Sequence, residues 1–147
     1  MKISIGCDHN AYVLKQKVIV HLTELGHEVR DVGCFSSDSC DYPEYGRAVA
    51  EAVAAGEAEK GIVMCTTGIG ISIVANKVHG IRAALCTNTT MAYLTRSHND
   101  ANVLALGTGI TGENAIMDII DTFLSTPFSN EEKHIRRIAQ IEQEASR

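Results

Sequence analysis

Short apolar runs rich in β-branched residues alternate along this chain with longer stretches in which apolar positions recur at the helical period, the pattern of βαβ units that close a parallel sheet. Five runs read as strands, roughly Lys2–Gly6, His27–Val32, Gly61–Met64, Ala83–Cys86 and Val103–Leu106. Several are apolar throughout, as strands covered on both faces are. The first helix is expected from about Ala11 to Leu25, with Val13, Leu14, Val18, Leu22 and Leu25 on its core face and Gly26 as its stop. A second opens near Tyr42 with Pro43 in its first turn, turns Tyr45, Val49, Ala52 and Val53 inward and ends at Gly56. Later helices begin near Gly70, Thr89 and Gly112. After a break at Pro127, a charged segment from about Asn130 to Glu144 places Ile135, Ile138 and Ile141 at a spacing of three, which reads as an appended helix with one adhesive face.

These elements predict an α/β, Rossmann-like three-layer fold with a five-stranded parallel sheet and an appended C-terminal helix. At 147 residues, one compact domain over 1–147 is expected. Composition narrows the function classes. With 45% hydrophobic and 21% charged residues the chain has the balance of a folded globular protein. A net charge of −5 gives no electrostatic footprint for a phosphate backbone, so nucleic acid is not expected as a partner. No apolar run approaches the ~20 residues that span a bilayer. The opening Lys2-Ile3-Ser4-Ile5-Gly6 lacks the pattern of a secretory signal, so a cytoplasmic location is expected. The five cysteines match no zinc-finger or CxxC spacing and read as free thiols.

Ligands of open parallel sheets bind at the carboxyl ends of the strands, so the residues just after each apolar run carry the information. Cys65-Thr66-Thr67-Gly68-Ile69-Gly70 sets a thiol and hydroxyls beside glycines at a helix start, where unpaired N–H groups and the dipole favour an anion. The same field favours a thiolate, which makes Cys65 a candidate base. The plainer alternative is a Gly-rich turn with a buried structural Cys. Asp8-His9 after the first strand can shuttle a proton or bind phosphate, or can simply cap the next helix. His98-Asn99-Asp100 is either functional or the C-terminal end of the fourth helix. Lys133, Arg136 and Arg137 form a cationic cluster suited to a phosphate monoester, or a solvated helix face. Gly107-Thr108-Gly109-Ile110-Thr111-Gly112 has the letters of the dinucleotide fingerprint, but it follows the last strand rather than opening a βαβ unit, so no nicotinamide cofactor is expected.

With these motifs collected, the chain resembles the type B ribose-5-phosphate isomerases and their relatives, which include the galactose-6-phosphate isomerase subunits. The resemblance rests on Gly6-Cys7-Asp8-His9, Asp41-Tyr42-Pro43, Cys65 through Ser72 continuing to Ala75-Asn76-Lys77, Gly80-Ile81-Arg82-Ala83 and His98 through Leu104. It implies a metal-free and cofactor-free isomerisation in which Cys65 takes the C2 proton while Thr67 and the amides around Gly68, Ile69, Gly70 and Ser72 hold the enediolate. It further implies that Asp8 and His98 assist ring opening, that Tyr42 and Asn99 line the pocket, and that His9 shares the phosphate with Lys133, Arg136 and Arg137. The implied assembly is a homodimer or tetramer with active sites shared between subunits, the segment around 130–144 packing on the partner. The implied substrate is ribose 5-phosphate. Alternatives are another sugar phosphate (allose 6-phosphate, galactose 6-phosphate or a tetrose phosphate), a non-catalytic sugar-phosphate binding protein, and zinc binding by Cys7, His9, Cys65 and Cys86. Three positions depart from the family pattern: Thr66 where a glycine usually follows the Cys, Gly109 or Ile110 where an Arg often stands, and Lys133 where an Arg commonly precedes the His.

Overall fold

The computed structural model describes residues 1–143. Its strands are β1 (Lys2–Cys7), β2 (Glu28–Asp31), β3 (Lys60–Cys65), β4 (Ala83–Leu85) and β5 (Val103–Gly107), and its α-helices are α1 (Tyr12–Glu24), α2 (Tyr42–Ala54), α3 (Ile69–Ala75), α4 (Thr89–Asn99), α5 (Glu113–Ser125) and α6 (Glu132–Ile141). A 3-10 turn, His9–Ala11, leads into α1. All strand pairings are parallel, in the order β2-β1-β3-β5-β4. The expected end of the last helix at Glu144 lies outside the described residues.

Strand alternation divides the core into two layers. Ile62 and Met64 of β3 and Leu104 and Leu106 of β5 face a cluster with Val18 and Leu22 of α1, Ala92 of α4 and Ile116, Ile119 and Phe123 of α5. Val63, Cys65, Val103 and Ala105 face the other side, against Val49 and Ala50 of α2 and Ile71 and Ala75 of α3. Helices on both faces make three layers. The connection from β1 runs to one face and that from β3 to the other, so the two neighbouring strands diverge at their carboxyl ends and open a crevice.

One expectation about a helix face needs correction. Val13 and Leu25 are exposed at 62% and 54%, while Lys15, between them in α1, is fully buried. Its Nζ donates to Asp31 Oδ1 at 2.5 Å and to the Cys34 carbonyl at 2.6 Å, so the ammonium is satisfied by a carboxylate and a backbone oxygen that no periodicity reveals. On α6 the buried side chain is His134, Ile138 is partly buried, and Ile135 and Ile141 are half exposed, so two of the three isoleucines stand outward.

Candidate active site

The crevice is rimmed by the segments that leave β1 and β3. Asp8 N–H donates to the Met64 carbonyl at 3.1 Å, which ties the end of β1 directly to Cys65's strand. Asp8 Oδ1 accepts from Ala11 N–H at 3.1 Å, so this carboxylate does cap the turn into α1 while remaining on the rim. His9 Nδ1 accepts the Cys40 N–H at 3.2 Å. A neutral imidazole so held carries its proton on Nε2 and offers it as a donor.

Cys65 ends β3 at 4% exposure, and its Sγ accepts the Gly68 N–H at 3.1 Å. Gly68 stands at φ +77°, and a Cβ there would lie 2.8 Å from the Leu106 carbonyl carbon and 2.9 Å from Gly107 N. Both the left-handed backbone and the close approach require glycine. Ile69 N–H turns to Thr67 Oγ1 at 3.2 Å, and Ser72 N–H is the first to find a helical acceptor, Gly68 O at 3.2 Å. The amides of Gly70 and Ile71 therefore precede the first helical bond. The Ser72 hydroxyl donates to Ile69 O at 2.7 Å and braces the turn. Tyr42, the first residue of α2, lays its hydroxyl against Gly70, where a Cβ would meet it at 2.4 Å.

Cys7 and Cys86 lie in the core. Burial pushes the Cys7 thiol far above its ordinary value and holds Cys86 at about 11. Cys7 Sγ faces Cys34 Sγ at 3.9 Å. Among the described residues, no three His, Cys, Asp or Glu side chains converge as metal ligands do, and Cys7, His9 and Cys65 each turn to a different partner. The fingerprint-like Gly107–Gly112 segment packs on the Cys65 turn, with Thr108 N–H on Cys65 O at 3.0 Å and Gly109 N–H on Thr66 O at 2.8 Å. Its glycines serve that contact: a Cβ at Gly107 would lie 2.4 Å from Thr67 O.

The remaining expected residues lie at the other end of the sheet. α4 starts beyond the carboxyl end of β4 and runs back, so His98 and Asn99 reach the amino edge, where Arg82 Nε donates to Asn99 O at 2.9 Å. Asp100 closes α4 in the left-handed region at φ 44°, the capping role weighed for this segment, held by Arg96 at 2.7 Å. The His98 ring meets the His134 ring edge-on, with centroids 4.2 Å apart. Lys133, Arg136 and Arg137 ride on α6 beside them, exposed, with Lys133 paired to Glu131 at 2.8 Å. A groove of about 500 Å³ also opens at this edge, between Arg82, Asn99 and Glu142. One chain thus brings together Asp8, His9, Tyr42, Thr67 and Cys65 to Ser72, and keeps His98, Asn99 and the α6 cations apart from them.

Three side chains carry contacts that the sequence pattern does not reveal. Asn10 donates to Thr66 Oγ1 at 2.8 Å across the crevice. His134 is 3% exposed with Nδ1 unpartnered, although a histidine inside a charged run carries no sign of burial. Arg96 is buried and also donates to Ala101 O at 2.6 Å.

Comparison with known proteins agrees with this fold. The model of the Ribose/Galactose Isomerase family matches residues 3–141. Ribose-5-phosphate isomerase B of Escherichia coli is 45% identical over 144 residues, covering 97% of each chain. The galactose-6-phosphate isomerase subunit LacB of Clostridium acetobutylicum is 46% identical over 128 residues, 87% of this chain and 74% of that one. Among solved structures, ribose-5-phosphate isomerase B of Clostridium thermocellum superposes with a TM-score of 0.95 at 51% identity, covering 97% of this chain and 95% of that one. The Mycoplasma genitalium enzyme with bound ribulose-5-phosphate gives 0.91 at 35% identity, covering 96% and 93%. A parallel sheet in this strand order, a cysteine over a glycine turn at its switch point and a match over nearly the whole length have one reading: the chain belongs to the ribose/galactose isomerase family.

Proposed function

We propose that the protein is an aldose–ketose isomerase that interconverts ribose 5-phosphate and ribulose 5-phosphate, with Cys65 as the base. The observation that carries this reading is the position of Cys65 at the carboxyl end of β3, its Sγ 3.1 Å from the Gly68 amide of the turn into α3. On the open-chain aldose, the Cys65 thiolate takes the C2 proton, and the C2–H electron pair forms the C1–C2 double bond as negative charge moves onto O1. The amides of Gly70 and Ile71 and the Thr67 hydroxyl are the donors nearest that charge, fixed before the reaction begins. The O2 proton passes to O1, and the Cys65 thiol returns its proton to C1 to give the ketose.

Asp8 stands on the same rim and serves the ring-opening proton transfers, with His9 Nε2–H directed to the phosphate. His98, Asn99 and the cations Lys133, Arg136 and Arg137 enter from a second copy of the chain, because one copy holds them at the amino edge of the sheet. The two outward isoleucines of α6 support that arrangement, since Ile135 and Ile141 are 50% and 57% exposed. The working unit is then a dimer or a pair of dimers, each chain contributing one isomerase domain. Among the described residues no helix is long and apolar enough to cross a membrane, in keeping with a cytoplasmic enzyme.

A coupled assay over pentose, hexose and tetrose phosphates, with chelator present, tests this directly. Turnover of ribose 5-phosphate undiminished by chelator is expected. Galactose 6-phosphate preferred over ribose 5-phosphate would move the chain toward its Clostridium acetobutylicum relative, and binding without turnover of any sugar phosphate would refute the enzyme reading.

A further inference from the structure

We propose that Asn10 and Thr66 form a specificity-determining pair that sets the length of sugar the crevice admits, a reading that rests on the isomerase function above. The two residues belong to the segments leaving β1 and β3, and the 2.8 Å bond from Asn10 Nδ2 to Thr66 Oγ1 runs across the gap between them. Both are exposed, so the pair stands at the entrance rather than in the core. Thr66 follows Cys65 directly, which sets it beside the reacting carbons.

The Thr66 backbone is held from its other side as well. Gly109 N–H donates to Thr66 O at 2.8 Å, and a Cβ built on Gly109 would lie 3.0 Å from both Thr66 Cγ2 and Thr66 O. The methyl therefore occupies the space that a side chain at position 109 would need, while the hydroxyl is held by Asn10. With its hydroxyl held by Asn10, the β-branched side chain keeps one favoured rotamer, and its methyl lies over the bare Gly109. The result is a wall of defined bulk, oriented by one hydrogen bond, next to the base.

The chemistry of the wall is neutral. Asn10, Thr66, Thr67 and Thr108 offer amide and hydroxyl groups. Amides and hydroxyls match sugar hydroxyls and give a phosphate dianion no opposite charge to pair with. The wall thus meets the polyol part of the substrate. Its bulk decides how many carbons fit between the base and the phosphate-binding cations. The Thr side chain exceeds by one methyl group the CHOH unit by which a hexose phosphate exceeds a pentose phosphate.

The test is the ratio of kcat/KM for allose 6-phosphate to that for ribose 5-phosphate in wild type, Thr66→Gly, Thr66→Val and Asn10→Ala/Thr66→Gly. Thr66→Gly is expected to raise the ratio about tenfold or more. Thr66→Val keeps the bulk and should leave the ratio within about twofold of wild type, and the double variant should match Thr66→Gly, because Asn10 then has nothing to hold. Thr66→Ser, which removes only the methyl, should move the ratio the same way by less and serves if the glycine variant does not fold. A ratio unmoved in both Thr66→Gly and Thr66→Ser, with wild type active, overturns this proposal alone. A wild type inert on both sugars overturns the isomerase reading and this one with it.

Discussion

Cys65 is one of five cysteines, and what singles it out is its place at the end of β3 and its contact with the Gly68 amide. Replacing it with alanine removes only the sulfur from a turn built by glycine geometry, so the fold should survive while chemistry stops. Cys65→Ala is expected to lower kcat about 1,000-fold with an unchanged circular-dichroism melt, and a variant keeping a tenth of the activity would show another base at work. The cysteine, its glycines and Asp8-His9 were legible in the sequence because each follows an apolar run, where parallel sheets place ligands. Asn10 and His134 were not. Asn10 matters through a partner 56 positions away, and His134 through a ring contact between two helices; neither leaves a periodic mark.

At the scale of elements, all five strands and the α-helices were readable, with ends shifted by up to three residues. Buried strands announce themselves as apolar runs, and Pro43, Gly26 and Gly56 punctuate the helices. The face of α1 was the failure, because a lysine took a core position on the strength of Asp31 and the Cys34 carbonyl. Lys15→Met would leave Asp31, only partly solvated, without its partner, at a cost of about 3 kcal/mol. That should lower the melting temperature by about 10 °C, and an unchanged melt would mean that the pair contributes nothing net. α6 gives a pH-dependent counterpart. Burial first, then the His98 ring, holds His134 below its ordinary histidine value, with Lys133 and Arg137 acting the same way and Glu131 opposing. The unfolded chain takes up a proton near pH 6.5 that the folded helix resists, so this residue's contribution is intact above that pH and is lost as pH falls below it. Urea midpoints from pH 7.5 to 5 should fall for the wild type and fall less for His134→Phe; equal slopes would remove His134 as the cause.

For the whole molecule, the decisive fact is that the sheet has two ends. Cys65, Asp8 and Tyr42 occupy the carboxyl edge, whereas His98 and the α6 cations occupy the amino edge, and one copy cannot join them. The central claim is that a working site takes Cys65 from one chain and His98 from another. Cys65→Ala and His98→Ala proteins, each inert alone, should recover roughly a quarter of wild-type activity once their subunits are exchanged, since half the dimers are then mixed and each carries one intact site. A mixture that stays inert after mass spectrometry has confirmed exchange, or a His98→Ala protein with full activity by itself, would contradict the account.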